Sequence, residues 1–521
     1  MSATEAPVYW DPYRPDFFAN PYPIFARLRE EAPLYYNEQY DFYAMSRFAD
    51  VERGLTDKET FSSARSDILE FIKTDMDIPR GMFIWEDPPF HTVHRGVLTR
   101  VFTPRRMNEL EDKIRAYCVR CLDPLVGEES FDLIKQFGAE VPMRVIGMLL
   151  GIPEEDQVAI RERVDAALRT EAGRPMEAHQ AMYRGSTFDE YIEWRTKHPS
   201  DDLMTELLNV EFKDVDGVQR KLTREEILIF VNVLAGAGNE TTTRLIGWAG
   251  KLLADHPDQR ADLVANPQLI PQAVEEILRY EPPGPSVARY VARDVELYGR
   301  KVPAGSAMLM LVAAANRDPR RYPDGETFNI RRDGPPHLTF GRGVHACLGA
   351  ALARVEGRVA LQEFLKRFPT WTVDLENAKL SSTSTVRGWE TLPIFVKDGT
   401  GRAKARSTAA SSAAQQSAAQ PAAKPSVETW ELTMQTPMGP QVLRMEITER
   451  QSDSFAAAIT TEVGVEKIKG TICGNNLAWT LSLTKPVAIK LSFDAKVDGD
   501  AMTGKVKLGM FGSAALTGKR L

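Results

Sequence analysis

The chain is predicted to fold in two unequal parts. Residues 1–399 read as a large, mainly α domain with small β-sheets, and residues 427–521 as a small all-β antiparallel barrel or sandwich. Three observations carry that reading. Up to residue 399, apolar residues recur at helical spacing in long stretches. From 400 to 426 the composition collapses ("GRAKARSTAASSAAQQSAAQPAAKPS"), with no large apolar side chain to build a core, so a flexible linker is expected. Beyond it the period switches to short alternating runs.

Bulk composition bounds the function. With 521 residues, 43% hydrophobic and 26% charged, the chain has globular composition and room for more than one core. A net charge of -7 argues against a nucleic-acid binder, which presents a basic face. No run of about 18 apolar residues exists, so no membrane span is expected. The N-terminus "MSATEAPVYWDPYRPDFF" lacks a basic region followed by an apolar one, and the four cysteines are too few for a disulfide framework. A cytoplasmic protein is expected.

Taken in chain order, the first chemical signal is "EDPPFHTVHRGVLTRVFTP". Pro88 and Pro89 open a helix on which His91 and Arg95 stand four apart, on one face. Such a pair can clamp a carboxylate or phosphate. A solvated face is the default for either residue alone, and a zinc pair from His91 and His94 would lack both HExxH and a third ligand. In "AYCVRCLDPL", Cys118 and Cys121 have CxxC spacing, but the surrounding pattern is helical and no second pair follows, so a core-facing helix is expected.

"LTREEILIFVNVLAGAGNETTTRLIGWAGKLLADHP" reads as one long helix, apolar nearly all round and so central to the domain. Thr223 and Glu226 make a capping box at its start and Pro257 marks its end. Within it the stretch around "AGNETT" breaks the local rules: Gly236 and Gly238 each cost roughly 1 kcal/mol of helix propensity, and Glu240 and Thr241 add a desolvation cost. The glycines would widen the helix so that a ligand lies in its groove, with Thr241 hydrogen-bonding it and Glu240 as proton source. A helix crossing at small residues, with a solvated glutamate, explains the same pattern.

In "EEILRY", Glu276 and Arg279 sit three apart, which alone reads as a surface ion pair. "DVELYGRKVPAGSAMLMLVAAANRDP" has strand-like pieces between Gly and Pro turns. Then "FGRGVHACLG" sets Cys347 among glycines, just before a helix with an apolar stripe of Leu348, Leu352, Val355 and Val359. Glycines allow tight turning and close approach of a flat ligand, and a helix start favours a thiolate that could serve as an axial metal donor. A buried structural cysteine beside a glycine turn is the alternative for this motif alone. After the linker come "ETWELTMQ", "VLRMEITE", "SFAAAIT", "NLAWTLSLT", "AIKLSFDA" and "GKVKLG". In the clearest run Ile489, Leu491 and Phe493 would face inward, and roughly eight short strands are expected in all.

Together the four helical-domain motifs, in this order, make residues 1–399 resemble the cytochrome P-450 superfamily, the haem-thiolate monooxygenases, in its bacterial form. The resemblance implies a P-450 fold and haem b (iron protoporphyrin IX). It makes Cys347 the proximal iron ligand, Glu240 and Thr241 the oxygen-activation pair, and Glu276, Arg279 and Arg332 a buried structural triad. His91, Arg95, Arg289 and His345 would hold the haem propionates. Asn329 stands where an aspartate is commoner in the family. Pocket walls would include Phe83, Ile84, Trp85, Leu234, Val287 and Trp389, favouring an apolar substrate of terpenoid, steroid or fatty acyl type.

The implied reaction inserts one oxygen atom from O2 into that substrate. The tail has one cysteine and no GxGxxG after a strand, so electrons are expected from a separate ferredoxin and reductase. Their docking face would carry Arg342, Arg354 and Arg358. The β domain is expected to bind a ligand, a partner or itself. The alternative function is a haem-based ligand-binding or sensor protein with the β domain as its output.

Overall fold

The computed structural model describes residues 7–74, 76–170, 173–176, 186–381, 383, 385–396, 428–436, 439–450, 454–461, 464–473, 475–483, 489–507 and 513–520. The expected linker at 400–426 lies outside them. The chain divides into two compact units, Met1–Arg406 and Ser407–Leu521.

The first unit is built round the helix Arg224–Asp255, 32 residues long and so about 48 Å from end to end. Thr223 accepts from the Glu226 amide while the Glu226 side chain accepts from the Thr223 amide, the reciprocal cap expected from the sequence. The helix ends at Asp255, and Pro257 opens the next helix. Its apolar surface is buried against Glu140–Leu150, Gln157–Leu168 and Ala350–Arg367, which accounts for a sequence apolar on nearly every face. Leu352, Val355 and Val359 of the last of these helices are buried, with Leu348 packed beside them. Cys118 and Cys121 are free thiols on the helix Glu111–Leu122, and burial raises the pKa of both.

A five-stranded sheet flanks the helices. Its order is Leu34–Asn37, Phe42–Met45, Ala307–Met310, Val287–Val291, Phe61–Ser62, with Met308 opposite Arg289 and Leu309 opposite Ala44. Because side chains alternate along a strand, Val287 and Arg289 share a face. The neighbouring hairpin Val295–Leu297 and Arg300–Val302 turns through Tyr298 and Gly299, both at positive φ.

The second unit is a closed barrel, so the sandwich option falls away. Eight antiparallel strands pair in chain order, and the last, Ser513–Arg520, returns to the first, Glu428–Thr436, pairing Met434 with Leu516. Leu491 and Phe493 point inward and Asp494 outward, as alternation requires; the side chain of Ile489 lies outside the described residues. Phe493 stacks on Trp479 with centroids 4.8 Å apart, in a core that also holds Trp430 and Phe455.

Candidate active site

The loop before Ala350–Arg367 is shaped by two glycines. Gly341 and Gly343 both have φ of 68°, a region that side chains avoid, and Gly343 packs against the backbone of Leu55 and Thr56. The turn lets the Cys347 amide donate to the Phe340 carbonyl at 2.7 Å. The amides of Gly349 and Ala350, at the helix start, point at the Cys347 sulfur. Cys347 keeps open surface although protein surrounds it, so it faces an internal space rather than bulk solvent. Burial raises its thiol pKa, while those two amides and the charges of Arg95 and Arg354 act in the opposite direction.

Basic side chains converge beside it. His91 is buried on the helix Phe90–Thr99, and its ring lies 4.1 Å from the ring of His345. Arg95, one turn on, donates to the Ala346 carbonyl. Arg289, 5% exposed, donates to the carbonyl of Ala288 at 2.8 Å. Burial holds His91 down to about 4 and His345 to about 3, and the neighbouring arginines add to both shifts. Both ring nitrogens of His91 and Nε2 of His345 are buried without a hydrogen-bond partner among the described residues. Such groups are costly unless something else meets them. A flat guest with two carboxylates and a metal for the thiol would do so, and apart from its neighbours in the chain no atom of the described residues lies within 4 Å of where a Gly349 side chain would start. The residues fit a haem.

The same unit holds a cavity of about 650 Å³. The middle of the long helix forms one wall through Gly236, Ala237, Glu240 and Thr241. Thr241 Oγ1 donates to the Ala237 carbonyl at 2.8 Å, and Glu240 pairs with Arg244 at 2.7 Å. Glu240 is nearly fully buried and its Oε2 has no hydrogen-bond partner among the described residues; burial raises its pKa and Arg244 partly offsets this. Ile84, Trp85 and Val287 line the cavity as well. The other three expected pocket residues pack elsewhere: Phe83 lies edge-on to Phe230, Leu234 is buried in the helical core, and Trp389 meets Trp248 at 5.5 Å.

Glu276 and Arg279 form a two-point pair at 2.7 and 2.8 Å, wholly buried, and Arg332 Nε sits 3.1 Å from both carboxylate oxygens. The backbone amide of Asn329 donates to the same carboxylate at 2.9 Å. A main-chain donor does not depend on which side chain occupies that position, which accounts for asparagine being accommodated there. Arg342, Arg354 and Arg358 are each paired already, with Glu52, Glu275 and Glu111. That face is therefore less basic than the sequence implies.

Two features escaped the sequence reading. Arg244 stands four residues after Glu240, a spacing that could have signalled the pair. His94 bridges two distant carboxylates, for which no local pattern exists.

Comparison with known proteins agrees with this geometry. The family model described as Cytochrome P450 matches residues 168–396. A putative cytochrome P450 123 of Mycobacterium tuberculosis is 39% identical over 394 residues, 74% of this chain and 96% of that protein. The vitamin D(3) 25-hydroxylase of Pseudonocardia autotrophica is 35% identical, over 73% of this chain and 94% of its own. Among solved structures, cytochrome P450 CYP109Q5 from Chondromyces apiculatus is 36% identical with a TM-score of 0.65, covering 74% of this chain and 97% of its own. CYP109E1 from Bacillus megaterium, solved with testosterone, is 28% identical with a TM-score of 0.65, covering 73% and 99%. No described helix is long and apolar enough to cross a membrane. The thiol loop, the basic cluster beside it and relatives matched along nearly their whole length lead to one conclusion: the chain belongs to the cytochrome P-450 family of haem-dependent monooxygenases.

Proposed function

We propose that residues 1–399 form the catalytic domain, which would bind haem b at the Cys347 loop. The observation that carries this is the convergence of one inward-facing thiol with His91, Arg95, Arg289 and His345 around buried nitrogens that lack partners. In this reading Cys347 would bind the iron as thiolate and the four basic residues would hold the two propionates. Bound haem supplies oxygen activation and transfer of one oxygen atom to a C–H bond.

The protein's own part is positioning and proton handling. Glu240 Oε2 is the place where a proton can reside, because burial favours the neutral carboxyl and Arg244 occupies only Oε1. Thr241 Oγ1, one residue on and facing the cavity, passes that proton toward the site of reaction. Ile84, Trp85 and Val287 hold the substrate and exclude water. Glu276, Arg279 and Arg332 fix the segment leading to the Cys347 loop, as a buried network whose every member is bonded.

The substrate is an apolar small molecule of terpenoid, steroid or fatty acyl type. Support comes from the apolar walls and from relatives titled as a vitamin D(3) hydroxylase, a testosterone complex and a complex with a hexadecenoic acid-ligated acyl carrier protein. A separate ferredoxin and reductase deliver the electrons. Residues 400–426 act as a linker, and the barrel binds a ligand, a partner or a second copy. Relatives named as hydroxylases and monooxygenases weigh against the sensor reading.

The test uses the purified full chain loaded with haem and a generic ferredoxin–reductase system. Apolar compounds are screened for the low-to-high-spin absorbance change, and hits are followed to product. Substrate-dependent oxygenated product is expected. Spectral binding without product from any hit, under saturating electron supply, would return the sensor reading.

A further inference from the structure

Trp85 lines two spaces at once. On one side is the 650 Å³ cavity; on the other is a groove of about 1020 Å³ whose walls include Phe71, Pro79, Arg80, Pro89 and Thr223. The indole is 4% exposed, lies edge-on to Phe71 at 5.8 Å, and donates from Nε1 to Asp67 Oδ1 at 2.6 Å. Among the described residues, it is the one that lines both spaces.

The next residue anchors the segment that carries Trp85. Glu86 Oε1 accepts from the Gly81 amide at 2.9 Å, and its Oε2 is 2.6 Å from His94 Nδ1. The other nitrogen of His94 lies 3.5 Å from Glu226 Oε1, in the capping box of the long helix. Glu226 in turn takes two bonds of 2.8 Å from Arg220, which also sits 3.4 Å from Asp214. The rings of Phe212 and Phe230 close over the imidazole. One buried side chain therefore ties together the 79–86 segment, the helix Phe90–Thr99, the hairpin 211–221 and the helix that carries Thr241.

The charges explain why a histidine suits this place. Among the described residues, His94 is the one cationic partner of Glu86, whereas Glu226 has Arg220 in addition. Burial alone would lower the His94 pKa, but its bonds to Glu226 and Glu86 outweigh burial and lift it to about 9. Glu86 and Glu226 both line the outer groove, so the network is within reach of solvent protons.

We propose that Trp85 is the gate between the outer groove and the cavity, and that His94, bridging Glu86 and Glu226, is the positioning residue that latches it. The latch makes entry selective by size: small molecules pass without moving Trp85, larger apolar ones need the 79–86 segment to swing. This inference rests on the cavity being the substrate site of the haem enzyme.

The experiment compares association rates of imidazole and 4-phenylimidazole with the ferric holoenzyme by stopped flow, in wild type, Trp85→Ala, His94→Gln and Glu86→Gln. Trp85→Ala should speed 4-phenylimidazole about tenfold and leave imidazole within about twofold. His94→Gln should raise the same rate ratio and increase amide hydrogen exchange in 79–86. In wild type the ratio should rise as pH passes about 9, where the latch loses its charge, and in His94→Gln it should stay flat. Glu86→Gln serves as the second latch variant if His94→Gln does not fold. An unchanged ratio in Trp85→Ala overturns the gate. A raised ratio there with none in either latch variant overturns the latch. Failure of both imidazoles to perturb the wild-type haem spectrum would instead overturn the reading of the cavity itself.

Discussion

Glu240 and Arg244 face each other across one turn of the long helix, Oε1 to Nη2 at 2.7 Å, with both side chains less than a tenth exposed. Arg244 is held from the far side by the Trp389 carbonyl, so the pair cannot rotate freely toward the cavity. Arg244→Ala would strip a buried carboxylate of its directly paired cation, a change that costs about 3–5 kcal/mol while the charge persists. The carboxyl should answer by keeping its proton. Its raised pKa makes this contribution to stability present at low pH and lost as pH rises through the folded value. The stability deficit of Arg244→Ala, followed by thermal melts, should therefore widen as pH rises above the usual carboxylate range. A deficit constant with pH would remove the carboxylate from the explanation.

Thr241→Ala should bind substrate as wild type does and divert reducing equivalents into free hydrogen peroxide. Its hydroxyl faces the cavity but its hydrogen bond runs to the Ala237 carbonyl, so binding does not depend on it. The ratio of product to electrons consumed is the measurement. An undiminished ratio would take Thr241 out of the proton path.

Cys347→Ser should abolish the strongly red-shifted absorbance of the reduced carbonyl complex, since that signal would require a thiolate ligand to the haem. The other two thiols with described side chains, Cys118 and Cys121, lie on the helix Glu111–Leu122 and cannot substitute for it. Persistence of the shifted band would reassign the ligand.

Glu356 offers a test independent of turnover. It is 1% exposed on the helix following the Cys347 loop, its Oε2 has no partner, and burial pushes its carboxyl up to about 8. A folded pKa above the unfolded one means stability is present below about pH 4.5 and declines as pH rises to about 8. Glu356→Gln should be free of that decline. Melting temperatures should thus favour the variant more strongly at about pH 8.5 than at about pH 6. A difference independent of pH would show that the carboxyl stays ionised.

Truncation addresses the domain arrangement. The helical core around Phe137, Phe230 and Phe364 and the barrel core around Trp430, Trp479 and Phe493 are separate clusters. A chain ending at residue 400 should keep its haem spectrum and most of its turnover with saturating electron donors. Haem loss on truncation would mean that the barrel completes the catalytic domain.

What the sequence disclosed was what chemistry writes locally. The capping partners Thr223 and Glu226 are three residues apart, as are Glu276 and Arg279, and the glycines around Cys347 lie within six residues of it. Arg332 needed the family resemblance, because nothing nearby in the chain marks it as a partner of Glu276. Trp389 lies in a three-residue strand whose pairing with Lys379–Leu380 is irregular, and such a register cannot be read from alternation. It consequently packs on Trp248 instead of facing the cavity. The barrel's strands were readable one by one, yet sandwich and barrel share the same alternation. Only the pairing of the first strand with the last separates them.

That closing pair has a further effect on how the tail could recognise anything. Trp430 through Met434 bond to Leu516 through Arg520, so the ladder has no first or last strand left open. An extended peptide cannot be taken up by adding itself to a sheet margin, the commonest backbone-led way for β domains to capture a tail. Whatever docks here must be read by side chains on the outer wall or at the barrel mouths. Binding partners should then be sensitive to point substitutions at exposed positions such as Arg444, Asp494 and Lys505, and indifferent to strand-forming propensity in the partner.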